Sequence, residues 1–148
     1  MLARREIEAR ILWPLIEAFK KEFGIESTFQ IVGDVIQSVG RQGGAQLASA
    51  LSGNSLGHYF QALPLWQKED ALKIEVLEQS DTKLSFNVLE CRYAKMYKEL
   101  GTVELGRMLS CNRDFAFIDG FNPKIKLSRT RTIMEGAEYC DFRYELGC

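Results

Sequence analysis

Leu72-Lys73-Ile74-Glu75-Val76, a turn at Ser80-Asp81, and Leu84-Ser85-Phe86-Asn87-Val88 form the stretch that sets the architecture. Apolar and charged residues alternate on both sides of the turn, so each half reads as a strand with one face buried. This is a β-hairpin, and the periodicity on either side of it is helical.

Upstream, residues 1–24 place Ile7, Ile11, Leu12, Leu15, Ile16, Phe19 and Phe23 at helical spacing, with a stop at Gly24. Pro14 inside this run predicts a kink or two shorter helices. Ser27 is the expected N-cap of a second helix, with Phe29, Val32, Val35, Ile36 and Val39 on one stripe. Gly40, Gly43 and Gly44 are expected to interrupt it, with resumption over 45–51. A short third helix around Leu56–Trp66 completes a helical part, 1–68.

Downstream, Ala94, Tyr97 and Leu100 mark a helix stopped by Gly101, and Leu105, Met108, Leu109 and Phe115 mark another. Asn122-Pro123 ends the latter, because a residue before proline avoids the helical region. A second hairpin is expected from strands at about 124–133 and 139–146, turning near Glu135-Gly136. The reading is an α+β chain with a single domain over 1–148 and a motif-bearing part at 70–146. Its four antiparallel strands carry helices on one face.

Composition limits the chemistry. The 148 residues are 46% hydrophobic, so a core can form without metal or disulfide staples. Nineteen basic against twenty acidic residues leave a net charge of −1, with no global field for nucleic acid or an anionic membrane. Neither a signal-peptide core nor a membrane-length apolar run occurs, and a cytoplasmic protein is expected. The cysteines, at 91, 111, 140 and 148, are read there as thiols rather than bridges. They lack C-x-x-C spacing, so zinc on Cys91, Cys111 and Cys140 with an Asp or His is only a compositional alternative. The single histidine, His58, has no acidic residue at helical spacing before it and reads as solvated or capping.

The segment after Pro123 breaks its own rule. By alternation Arg129 and Arg131 share the side of Ile125 and Leu127, and inward arginines need a partner or a wet cavity. Either they form a carboxylate or phosphate clamp, or a bulge flips the register, or both merely extend past an edge. On the last strand Cys140, Phe142, Tyr144 and Leu146 share the apolar side, leaving Asp141 and Arg143 as a same-face pair. Cys111 and Asp114, three residues apart, lie on one helix face. A carboxylate beside a thiol disfavours the thiolate, unless an arginine joins them.

Several of these residues fall into spaced motifs: Cys91-x-Tyr93-Ala94-x-x-Tyr97-x-x-Leu100-Gly101, Glu104-Leu105-Gly106, Cys111-x-x-Asp114 and Phe121-Asn122-Pro123. Leu127-x-Arg129-Thr130-x-Thr132-Ile133, Gly136 and Cys140-Asp141-Phe142-Arg143 follow. The pattern, over roughly 88–145, resembles the L-2-amino-thiazoline-4-carboxylic acid hydrolases. The resemblance implies hydrolytic opening of a cyclic amidine ring that bears a carboxylate, in sulfur amino-acid metabolism and without a cofactor. Cys111 or Cys140 would then add to the sp² ring carbon, or Asp114 or Asp141 would act as general acid/base or activate water. Arg129, backed by Arg131 or Arg143, would hold the substrate carboxylate, Asn122 would hydrogen-bond the ring, and Cys91 would line the site. The order of elements is also similar to 4-vinyl reductase-type ligand-binding domains, which would make the same residues a small-molecule or metal pocket without turnover. For a homodimer contact the candidates are the N-terminal helix, Trp13, Trp66 and Phe60, with a core role as the alternative.

Overall fold

The computed structural model describes residues 1–147. Cys148, expected to be a frayed terminal thiol, lies outside the described residues. Helix α1 spans Leu2–Phe23 and runs through Pro14 as one element. Pro14 is exposed, so water can take the carbonyl that the proline cannot bond. The chain reverses at Gly24, whose φ of 87° suits only glycine comfortably, directly into α2 (Ile25–Ala50). The reversal occupies Gly24 alone, so Gly24, not Ser27, stands at the N-cap.

The glycines expected to break α2 do not. They are where another helix, α6 (Arg113–Phe121), comes against it. A Cβ on Gly44 would lie 1.9 Å from the Phe117 carbonyl oxygen, and one on Gly120 would lie 2.0 Å from that of Arg41. At Gly40 it would meet Ala116 at 3.2 Å. Gly40 and Gly44 on one helix face Ala116 and Gly120 on the other, and backbone touches backbone. Here the glycines are a packing device rather than a stop signal.

Helix α3 (Leu56–Trp66) starts at Ser55, whose Oγ accepts from the His58 amide at 3.2 Å and bonds His58 Nδ1 at 2.6 Å. The hairpin follows as β1 (Leu72–Gln79) and β2 (Lys83–Cys91). Then come α4 (Arg92–Glu99) and α5 (Val103–Gly106), a π turn at Arg107–Cys111, and α6. Strands β3 (Ile125–Ser128) and β4 (Cys140–Leu146) complete an antiparallel sheet in the order β1-β2-β4-β3. The α+β class, with helices on the sheet, is as the patterning predicts.

β3 is much shorter than the expected strand at 124–133. The cause is Asp141, whose Oδ1 accepts from the amides of Thr130 and Arg131, both at 2.9 Å, and so draws the chain off the ladder. A one-turn helix, Ile133–Glu135, fills the connection and ends at Gly136 with φ 99°.

The register confirms the buried face of β2 and β4. Leu84 pairs with Tyr144, Phe86 with Phe142 and Val88 with Cys140. On β1 the alternation fails: the register shifts between Val76 and Glu78, leaving Val76 and Leu77 exposed on the edge.

Two apolar clusters result. One joins the sheet to α3 and α6 through Leu56, Tyr59, Phe86, Phe121 and Tyr144. The other joins α1, α2, α4 and α5 through Ala9, Ile16, Ile36, Tyr97 and Leu105. Cys91 and Ile133 touch both. Trp66 and Phe60 pack, partly buried, on the first cluster and Trp13 on the second. In α1 the expected apolar stripe is mostly not core: among its seven residues Ile16 alone is fully buried.

Candidate functional site

The seam between the two clusters holds the chemically capable residues. Asp114 sits in the first turn of α6, just after the π turn that ends at Cys111. Such turns are frequent at functional sites because they re-aim side chains out of α register. Arg129 follows β3 and turns inward, its side chain 5% exposed. Its Nη1 donates to Asp114 Oδ2 at 2.8 Å and its Nη2 to the Cys111 carbonyl at 2.9 Å. The guanidinium lies over two rings, 5.0 Å from the Phe115 centroid and 5.1 Å from that of Phe142. Two hydrogen bonds and two aromatic faces fix it.

Asp114 is set deep among protein atoms yet keeps 38% of its side-chain surface. Water therefore reaches the carboxyl. Burial pushes its pKa up to about 6, against the opposing pull of Arg129, Arg113 and Arg5. Desolvation outweighs three arginines and holds the carboxyl above the usual aspartate range.

Three thiols surround this pair closely enough to feel its charges. Burial pushes the Cys111 thiol far up; the Asp114 charge adds to the rise and Arg129 opposes it. Cys140 is raised by burial, although its Sγ accepts from the Ile133 amide at 3.2 Å. Cys91 is pushed up to about 11 by burial, and its Sγ caps α4 by accepting from the Ala94 amide at 3.4 Å. All three are therefore thiols at neutral pH.

The other sequence candidates hold the frame. Asp141 brackets Thr130 and Arg131, and its pKa is lowered: desolvation opposes, but hydrogen bonds from Thr130 and Arg131 prevail. Arg143 donates to the carbonyls of Phe86 and Phe142 and to Asn87 Oδ1, each at 2.9 Å, rather than pairing with Asp141. Asn122 donates to the Asn54 carbonyl at 2.9 Å and accepts from the Lys124 amide at 3.0 Å. Arg131 is exposed and lies 5.0 Å over the Tyr139 ring. Among the described residues no three His, Cys, Asp or Glu side chains form a group that could hold a metal ion.

Sequence reasoning missed two groups. Tyr59 and Tyr144 are buried and share a hydroxyl–hydroxyl hydrogen bond of 3.2 Å, within reach of the Asp114 charge. Tyr144 was legible as an inward residue, whereas nothing local to α3 connects Tyr59 to it. Arg113, next to Asp114 in sequence, is half-buried with its guanidinium near Gly43 of α2, and burial lowers its pKa. No acidic group pairs with it among the described residues, and its place next to Asp114 in sequence was the available signal.

No curated protein matches this chain in sequence. Among solved structures it is similar to the phenol-responsive sensory domain of the transcription activator PoxR, with a TM-score of 0.59 and 14% identity. That match covers 91% of this chain and 72% of the other. It is also similar to a trafficking protein particle complex subunit 3 from Naegleria fowleri covalently bound to palmitic acid. There the TM-score is 0.58 at 13% identity, over 100% and 98% of the two chains. At such identities the likeness is one of fold. Sequence speaks more specifically: residues 4–144, which hold Cys91, Cys111, Asp114, Arg129 and Cys140, match the L-2-amino-thiazoline-4-carboxylic acid hydrolases, and the chain belongs to that family.

Proposed function

We propose that the chain hydrolyses a small cyclic amidine bearing a carboxylate, of the 2-aminothiazoline-4-carboxylate class, with Asp114 as the general acid/base. The observation that carries this reading is the Asp114–Arg129 pair: a carboxyl fixed in direction by the guanidinium and reached by water, with burial raising its pKa. Ionised Asp114 takes a proton from water as the water oxygen bonds to the sp² carbon between ring nitrogen and sulfur. The resulting tetrahedral adduct collapses with loss of the ring carbon–sulfur or carbon–nitrogen bond. Asp114 returns the proton to the departing atom, so the sum is addition of one water. Raised thiol pKa values favour this route over attack by Cys111 or Cys140.

Arg129 already neutralises Asp114 and acts as a positioning residue. Arg113 and Arg131, both without an acidic partner among the described residues, are the candidate guanidiniums left to take the substrate carboxylate. The test is turnover of L-2-aminothiazoline-4-carboxylate by the full chain and by Asp114→Asn and Cys111→Ser. Ring opening by the wild type and Cys111→Ser, lost in Asp114→Asn, is expected. Absence of turnover in the wild type overturns the reading for this substrate.

A second reading is a ligand-sensing module that binds without turnover, favoured by the fold shared with a sensory domain. A stoichiometric small molecule in native mass spectra, with no ring opening, is the result that selects it.

A further inference from the structure

The outward sides of α1 and α2 carry apolar residues that neither core cluster uses. On α1 these are Ile7, Ile11, Leu15 and Phe19, with exposures of 46–60%. On α2, Ile31, Val35 and Val39 are 45–64% exposed. Side chains this open present on the order of 800 Å² of apolar surface, about one partner's share of a stable interface.

Both sets repeat every four residues. Rows at i±4 are the ridges that interdigitate with identical ridges, at a crossing angle of about −50°. Charge narrows the choice of partner. Residues 1–50 hold six acidic and six basic side chains, so these helices have no excess of lysine and arginine to draw them to an anionic bilayer. The same balance gives no complement to a strongly charged protein. A neutral, ridged face fits a copy of itself, as a closed two-fold dimer requires.

We propose that the chain forms a homodimer through the outward ridges of α1 and α2, with the Asp114–Arg129 site left free on the inner side of these helices. Sedimentation velocity of the full chain at micromolar concentration tests it. Wild type is expected at twice the 16.9 kDa chain mass. Ile11→Asp and Val35→Asp, at exposed positions, are expected to sediment as folded monomers with unchanged far-UV circular dichroism. Val76→Asp, on the β1 edge, is expected to stay dimeric. A monomeric wild type overturns the proposal, as does a dimer that survives both helix variants or falls to Val76→Asp. Wild type that co-sediments as a monomer with phosphatidylcholine–phosphatidylglycerol vesicles overturns it in favour of a membrane surface.

Discussion

Arg129 reaches back fifteen residues along the chain to Asp114, Nη1 to Oδ2 at 2.8 Å, while its second amine holds the Cys111 carbonyl. One guanidinium thus ties the connection after β3 to the π turn and to the first turn of α6. The fold and the electrostatics of the site depend on the same bond.

Asp114→Asn keeps the shape and removes the titration. Loss of a general acid/base costs about 10²–10⁴-fold in rate. The wild-type kcat/KM is expected to rise with pH along a limb with apparent pKa about 6, where Asp114 becomes a base. In the variant that limb is absent, which a pH–rate profile between pH 4.5 and 8 checks.

Removing Arg129 leaves Asp114 without its main counter-charge. Arg129→Gln is expected to cost about 3 kcal/mol, the low end for a broken buried pair because water reaches the carboxyl. The acid limb moves above pH 6, since burial then acts on Asp114 with less opposition. Urea unfolding and the pH–rate profile report the two effects separately.

The thiols are predicted to be slow. Burial raises Cys91, Cys111 and Cys140, so peptide-resolved alkylation at pH 7.5 is expected to label all three more slowly than free cysteine. Cys111→Ser retains activity within about tenfold, since a thiol off the proton-transfer path carries little of the barrier. Faster labelling of Cys111, or its loss of activity on mutation, would move the chemistry to covalent attack.

Stability has a pH signature with two opposite signs. Asp114 has a folded-state pKa raised from 3.8 to about 6, so the folded state holds its proton more tightly than the unfolded chain. Its contribution to stability is therefore greatest below pH 4 and is lost as pH rises through 6. Asp141, lowered by its bracket, contributes above the ordinary aspartate value and loses that contribution as pH falls through its depressed pKa. Asp114→Asn is thus expected to flatten the dependence of thermal stability between pH 4 and 7, and Asp141→Asn to flatten it below pH 4.

Helix contact at the glycines gives the sharpest packing prediction. Gly44→Ala places a methyl 1.9 Å from the Phe117 carbonyl oxygen, which only separation of α2 from α6 can relieve. A loss of about 3 kcal/mol, the upper end for overpacking, is expected. It lowers Tm by roughly 10 °C in a domain of this size.

Alternation in Leu72–Val88 made the first hairpin legible, and the helix-stop before Pro123 held for the same local reason. The glycines of α2 misled because a break and a close approach use the same residue, and only α6 distinguishes them. Arg129 points inward as alternation implied, yet β3 has ended one residue earlier, and its direction comes from Asp114 and two aromatic rings. Asp141 and Arg143 share a face without meeting, because each finds backbone partners that a linear pattern does not show. Cys111-x-x-Asp114 was visible as a spacing. Its chemistry was not, because depth sets which of the two groups titrates near neutrality.

Asp114 beside Arg129 is expected to titrate at about pH 6, well above an ordinary aspartate. A ¹³C NMR titration of the aspartate carboxyls, with Asp114 assigned through Asp114→Asn, measures this without any substrate. An inflection at about pH 6 is the result expected; an inflection at or below the ordinary aspartate value, about 3.9, would contradict the account.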